Sequence, residues 1–144
     1  MDSKLSNKVS NFIKKQLIMN LITILSILVI HWIADFVFQT DKQAKGKSKN
    51  WEDLLTHVWT YSMCWLIVGA FIQAFNHGVF FPKWAVTQFM LITFICHTIT
   101  DYFTSRLNSK LWEQGKVHYF FIAIGGDQIL HYIQLFLTYQ LLKS

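Results

Sequence analysis

Four apolar stretches, at residues 17–38, 54–75, 84–104 and 118–142, dominate this chain of 144 residues. Each has the roughly 20 residues that a helix needs to cross the hydrocarbon core of a bilayer. None alternates as a strand would, and a lone hairpin cannot satisfy its backbone in lipid. The content of 53% hydrophobic and 15% charged residues, with one proline, favours a membrane protein over a soluble helical domain. Short links make consecutive stretches antiparallel neighbours. The expected fold is therefore all-α: an integral membrane four-helix bundle over residues 17–144. A short basic amphipathic segment at 1–16 precedes it, with Lys4, Lys8, Lys14 and Lys15 among Leu5, Val9, Phe12 and Ile13, suited to a membrane surface.

The first stretch outruns a signal-peptide core and no small-x-small cleavage pattern follows it, so it reads as a retained anchor. Trp32, Trp51, Trp59, Trp84 and Trp112 fall near the ends of stretches, where interfacial anchors belong. Cys64 and Cys96 lie inside apolar runs and behave as small hydrophobes, not as a disulfide framework. Between the stretches, residues 40–50 form a polar loop with four lysines, Gly78 and Pro82 mark a turn, and 105–116 are polar enough for a loop. Lysine and arginine divide six to seven between the two sides, so the positive-inside rule assigns no orientation. The net charge of +5 suits anionic lipid headgroups rather than a specific nucleic acid.

Inside these stretches sit ionisable residues, which at such depth mark functional sites. His31 and Asp35 are four apart, and so are His97 and Asp101. On a helix this spacing stacks the two side chains on one face. In the fourth stretch the order reverses, Asp127 preceding His131. The first and third stretches run towards the side bearing the lysine-rich loop and the fourth runs away from it. Antiparallel packing then sets His31, His97 and His131 beneath Asp35, Asp101 and Asp127, with His57 near the level of the acids.

Four imidazoles and three carboxylates are a ligand set for a divalent transition metal, zinc first, with enough donors for two ions. His31, Asp35, His57, His97, Asp101, Asp127 and His131 are the expected metal ligands, and Asp35, Asp101 and Asp127 the expected catalytic carboxylates. A bound ion would activate water against an ester or phosphoester. Gln39, Arg106, Lys110, Lys116, His118 and Gln128, with Lys42 and Lys45 nearby, are expected to meet an anionic lipid or other phosphate-bearing substrate. The expected activity is a membrane-embedded metal-dependent hydrolase. A metal-ion or proton transporter using the same cluster is the alternative, and a structural or pore-forming homo-oligomer, with the pairs as interhelical glue, is another.

The stretches HWIADFVFQTDKQAKGKSKNW with LLTH, HTITDYFTSRLNSKLW and HYFFIAIGGDQILHYIQLFLTY resemble the small bacterial and phage membrane proteins classed as domain of unknown function 3307. The resemblance covers most of residues 31–139. It implies an integral membrane fold, with a bacterial inner membrane as the setting, and groups His31, Asp35, Gln39, His57, His97, Asp101, Asp127 and His131. It implies no reaction. The His-x3-Asp helices are also similar in style to predicted membrane-bound metal-dependent hydrolases, although a His-Arg-x3-His-Ser signature is lacking here.

Overall fold

Apolar residues of good helix propensity fill the long stretches and proline is absent from them, so nothing stops their helices early. The computed structural model describes residues 3–76 and 84–143, and its elements are all helical. They are α1 (Ser3–Trp32), a π-helical turn (Ile33–Val37), α2 (Asp41–Gly46), α3 (Trp51–Asn76), α4 (Ala85–Glu113) and α5 (Val117–Leu142). The turn expected around Gly78 and Pro82 lies outside the described residues.

Among the described residues, three regions are long and apolar enough to cross a membrane: Ser6–Val37, Trp51–Ala74 and Val117–Leu142. The long helix α4 is not among them, because its buried face carries Thr93, His97, Asp101 and Ser105 in place of aliphatic residues. A count of four apolar spans therefore overstates what composition supports. There are five α-helices among the described residues, the fifth being the short α2 inside the lysine-rich stretch read above as loop. Helix α4 also continues through most of residues 105–116, leaving a tight turn in which Gly115 takes φ 66°, the left-handed conformation that glycine supplies cheaply. Helix α1 runs unbroken past residue 16, where the basic segment was expected to end.

Helix α4 packs against both α3 and α5, α1 lies on α5, and the π turn contacts α3. At Gly69 of α3 an added Cβ would come within 2.8 Å of Val86 Cγ1, so glycine sets how closely α3 and α4 approach. The apolar core gathers Ile27, Tyr61, Trp65, Phe89 and Leu135 on one side of the ionisable residues. On the other side α2 and its flanking loop cover the bundle end. Thr40 and Gln43 form a reciprocal capping box at the start of α2. Gly46 lies so close to Asp53 that any Cβ there would strike the carboxylate. Asn50 then ties down Asp53, accepting from its backbone N–H at 2.8 Å and donating to Oδ2 at 2.7 Å.

Candidate metal centre

The π turn is the first local feature that shapes the site. Ile33 O accepts from Phe38 N–H at 3.0 Å, a five-residue loop that widens the helix by one residue per turn. Asp35 sits in this turn, 3.8 Å from Nε2 of its own helical partner His31 and nearer to histidines of other helices. His57 Nε2 of α3 is 3.1 Å and His97 Nε2 of α4 is 3.4 Å from Asp35 Oδ1. The same two nitrogens lie 3.3 and 3.6 Å from Asp101 Oδ2 and 3.4 Å from each other. Four donor atoms thus converge, and all four residues are buried.

Asp101 faces two ways. Its Oδ1 lies 3.3 Å from His131 Nε2, and that nitrogen is also 3.3 Å from Asp127 Oδ1. Asp101, Asp127 and His131 form a second buried group able to hold an ion, joined to the first through one carboxylate. Asp127 Oδ1 is buried with only the His131 ring nitrogen near it, a nitrogen it shares with Asp101, so a cation between the three would satisfy an oxygen that lacks a well-formed hydrogen bond. The donor chemistry, neutral imidazole and carboxylate, fits a divalent transition ion in both groups.

His31 is beside these groups and in neither. Gln128 Nε2 donates to Asp35 Oδ2 at 3.1 Å and to Asp127 Oδ2 at 3.3 Å, so Gln128 Oε1 must be the atom that accepts from His31 Nε2–H, at 2.9 Å. The remaining ring nitrogen, Nδ1, accepts from the Tyr61 hydroxyl at 2.7 Å. Both nitrogens are engaged, and His31 orients Gln128 instead of offering a lone pair. Tyr61, fully buried, also stacks on His97 at 3.9 Å, and His97 stacks on His131 at 4.1 Å, which fixes the plane of the central imidazole. Gln39 Nε2 lies 3.2 Å from His57 Nδ1. With that amide turned so that Oε1 accepts from Nδ1–H, His57 Nε2 bares its lone pair to the cluster.

The other residues expected at the substrate are scattered. Arg106 donates to Tyr102 O at 2.7 Å and lies 3.7 Å over the Tyr102 ring, which in turn stacks on Trp51. Both contacts of Arg106 stay within α4, and the link to the start of α3 is the Tyr102 ring on Trp51. Lys110 and His118 are exposed, and Lys116 lines a groove on the outside of α4 and α5. Only Gln39 and Gln128 of that group reach the cavity of about 710 Å³ that leads to Asp35 and Asp127.

The residue missed in the sequence is Lys47. Read as one lysine of a solvated loop, it instead points inward and places Nζ 2.9 Å from Asp101 Oδ2, with its side chain 16% exposed. Burial opposes its charge, but the Asp101 and Asp35 carboxylates outweigh that and hold its pKa above the ordinary lysine value. The one local sign was Gly46 beside it, the position that lets the loop press against α3. Lys45, Lys47 and Lys49 line the vestibule together with Ser105, Ser109 and Trp112 of α4 and Phe120 of α5.

No curated protein and no solved structure matches the chain. A family model described as "Protein of unknown function (DUF3307)" matches residues 21–144, which takes in every residue of both ligand groups and the loop that carries Lys47. With most of its length matched, the chain belongs to the domain of unknown function 3307 family.

Proposed function

We propose that this protein is a membrane-embedded metal-dependent hydrolase acting on a lipid-linked or phosphate-bearing substrate. The observation that carries the reading is the set of distances around Asp35, His57, His97 and Asp101. Zinc bonds of about 2.0–2.1 Å in a tetrahedral site separate neighbouring ligand atoms by about 3.3–3.4 Å. The distances from His57 Nε2 and His97 Nε2 to Asp35 Oδ1 and Asp101 Oδ2, and between the two nitrogens, fall between 3.1 and 3.6 Å. Lys47 Nζ, 2.9 Å from Asp101 Oδ2, balances one of the two carboxylates, and a divalent ion at the centre of the four donor atoms would balance the other while leaving both imidazoles neutral.

Divalent ions held there would polarise a phosphoester and bring the pKa of water near 7. Asp101 would serve both groups, one through each oxygen. Asp127 faces the vestibule from the group with fewer ligands and is placed to take a proton from water. Lys47 stands between the acids and the vestibule, where an ammonium would pair with a phosphate. Gln128, held by His31 and Tyr61, keeps Asp35 and Asp127 in position.

In this reading α4 is the fourth span. Its exposed residues Leu91, Ile95, Ile99, Phe103 and Leu107 recur every four positions as an apolar stripe that suits lipid, while its polar residues face inward. The setting is a bacterial inner membrane, as the resemblance implies. A transit site would need polar access from both faces. Here the far side is packed with Ile27, Tyr61, Trp65, Phe89 and Leu135, which favours hydrolysis over transport.

Elemental analysis of detergent-purified protein, coupled to phosphate release from phosphatidic acid in mixed micelles, tests the reading. About one to two equivalents of a zinc-class metal are expected, with phosphate release that a chelator abolishes and zinc restores. Less than about one-tenth of an equivalent after equilibration with micromolar zinc would sink it, given how tightly such sets bind.

A further inference from the structure

Asp127 lines two cavities. One is the lysine-rimmed vestibule, and the other is a groove of about 890 Å³ on the outer side of α4 and α5, walled by Leu107, Ile122 and Leu130. We infer that this groove holds the hydrocarbon chain of a membrane amphiphile whose anionic head is turned inward at Asp127, so that the substrate is a long-chain lipid phosphate reached sideways from the bilayer. The inference takes the role of Asp127 from the reading above. The groove itself stands on separate observations.

The first is its place. It lies along Val117–Leu142, a helix apolar enough to span a membrane, and Leu107, Ile122 and Leu130 are about half exposed there. Hydrocarbon is what such a surface meets in a bilayer. The second is glycine. Gly125 and Gly126 stand side by side in α5, directly before Asp127. A Cβ on either would meet nothing within 4 Å, so neither serves packing against another helix. A glycine inside a helix costs stability relative to alanine, and one that packs nothing needs another reason to be there. Gly126 lines the groove next to Asp127, and its missing side chain leaves the wall open at that point. The third is Asp127 itself: it is 9% exposed and lines both cavities, so a group lying in the groove can reach its carboxylate.

Both glycines have free space, yet only Gly126 is in the groove, and this gives a matched pair of variants. Gly126→Leu fills the groove at Asp127, Gly125→Leu does not, and both replace glycine with a better helix former. The full-length protein in detergent is titrated with dioleoyl phosphatidic acid and with glycerol phosphate, and binding is followed alongside metal content and phosphate release. Gly126→Leu is expected to weaken binding of the long-chain phosphate by about tenfold or more, since it displaces several methylenes from the groove. Metal content and any turnover of glycerol phosphate should stay at the wild-type level, and Gly125→Leu should match wild type throughout. Ala123→Leu narrows the same groove and keeps the test decisive if Gly126→Leu folds poorly.

Wild-type binding of the long-chain phosphate that Gly126→Leu and Ala123→Leu both leave intact would overturn the groove assignment, as would a wild type that binds no long-chain phosphate. The two readings fail separately. Groove-sensitive binding without metal or turnover removes the hydrolase and keeps the groove, whereas metal-dependent turnover that ignores both plugs removes the groove and keeps the hydrolase.

Discussion

His31–Asp35 and His97–Asp101 are written with one spacing and reach different surroundings. In each pair the helical partner is the more distant one, at 3.8 Å for His31 and 3.6 Å for His97. The carboxylates look across to other helices: Asp35 to His57 at 3.1 Å, and Asp101 to Lys47 at 2.9 Å and to His57 and His131 at 3.3 Å. The histidines differ more. His97 points Nε2 into a set of donors, while His31 is closed off by Tyr61 and Gln128. Equal spacing fixes which face two residues share. What each then does is decided by the neighbouring helices, and for Asp35 by a π turn that re-aims the side chain.

The comparison breaks most severely at Asp101. Asp101→Ala removes the carboxylate common to both groups and leaves Lys47 and His131 without their shared partner. Loss of all bound metal is expected, with about 3–5 kcal/mol of destabilisation, the usual cost of stranding a buried charge. Asp35→Ala touches only one group, so a residual ion at Asp101, Asp127 and His131 should survive. Metal content and thermal unfolding in detergent check both. Equal metal loss in the two variants would mean the groups are not separable.

Next come the histidines. His97→Ala deletes a donor and the ring stacked between Tyr61 and His131, and metal at the first group should be lost. His31→Ala frees Gln128 and the Tyr61 hydroxyl but removes no ligand atom, so metal binding should weaken by about 10–100-fold, as for other groups that orient a ligand, and should still saturate. Titration with zinc against a competing chelator separates them. Identical curves would show that His31 binds the ion after all.

Lys47 sharpens the contrast from the side of charge, because its hydrogen bond goes to Asp101 and not to Asp35. Lys47→Met should keep the metal, raise KM for an anionic substrate by about tenfold and leave KM for a neutral ester unchanged. The stability that its ion pair contributes has a definite pH window. A lysine whose folded pKa is raised contributes fully below the ordinary value of about 10.4 and loses that contribution only as pH climbs through the raised one. The stability difference between wild type and Lys47→Met should therefore be flat across neutral pH and shrink in strong alkali.

How much of this was readable in the sequence depends on whether the signal is local. Apolar length gave the long helices α1, α3 and α5, and ionisable residues inside apolar runs drew attention to the seven His and Asp positions, because both signals survive without tertiary context. Helix α4 carries the weaker signal: its inward face is polar, so composition alone does not mark it as a span, and it runs on to Glu113 through residues polar enough for a loop. Arg106 was expected at the substrate because charge suggests exposure, but cation–π stacking on Tyr102 absorbs it. Tyr61 and Lys47 were passed over for opposite reasons. A tyrosine in an apolar run looks like core and a lysine in a polar loop looks solvated, and only packing brings the first against His97 and the second against Asp101.

The mildest change tests orientation alone. Gln39 is partly exposed at the vestibule and meets the cluster through its 3.2 Å contact with His57 Nδ1. Gln39→Leu keeps the bulk and removes the hydrogen bond, so His57 is free to place its proton on either nitrogen. Because water in the vestibule can take the place of the amide, stability should change by no more than about 1 kcal/mol. Metal affinity should fall by about tenfold, since half of the neutral His57 population no longer presents a lone pair and the ring is less firmly held. His31, with both nitrogens fixed by Tyr61 and Gln128, should be indifferent to the change. A measurable loss of affinity with unchanged unfolding would place Gln39 on the His57 side of the comparison. A loss of stability without a loss of affinity would instead make Gln39 a structural partner of α3, and the tautomer argument for His57 would fail.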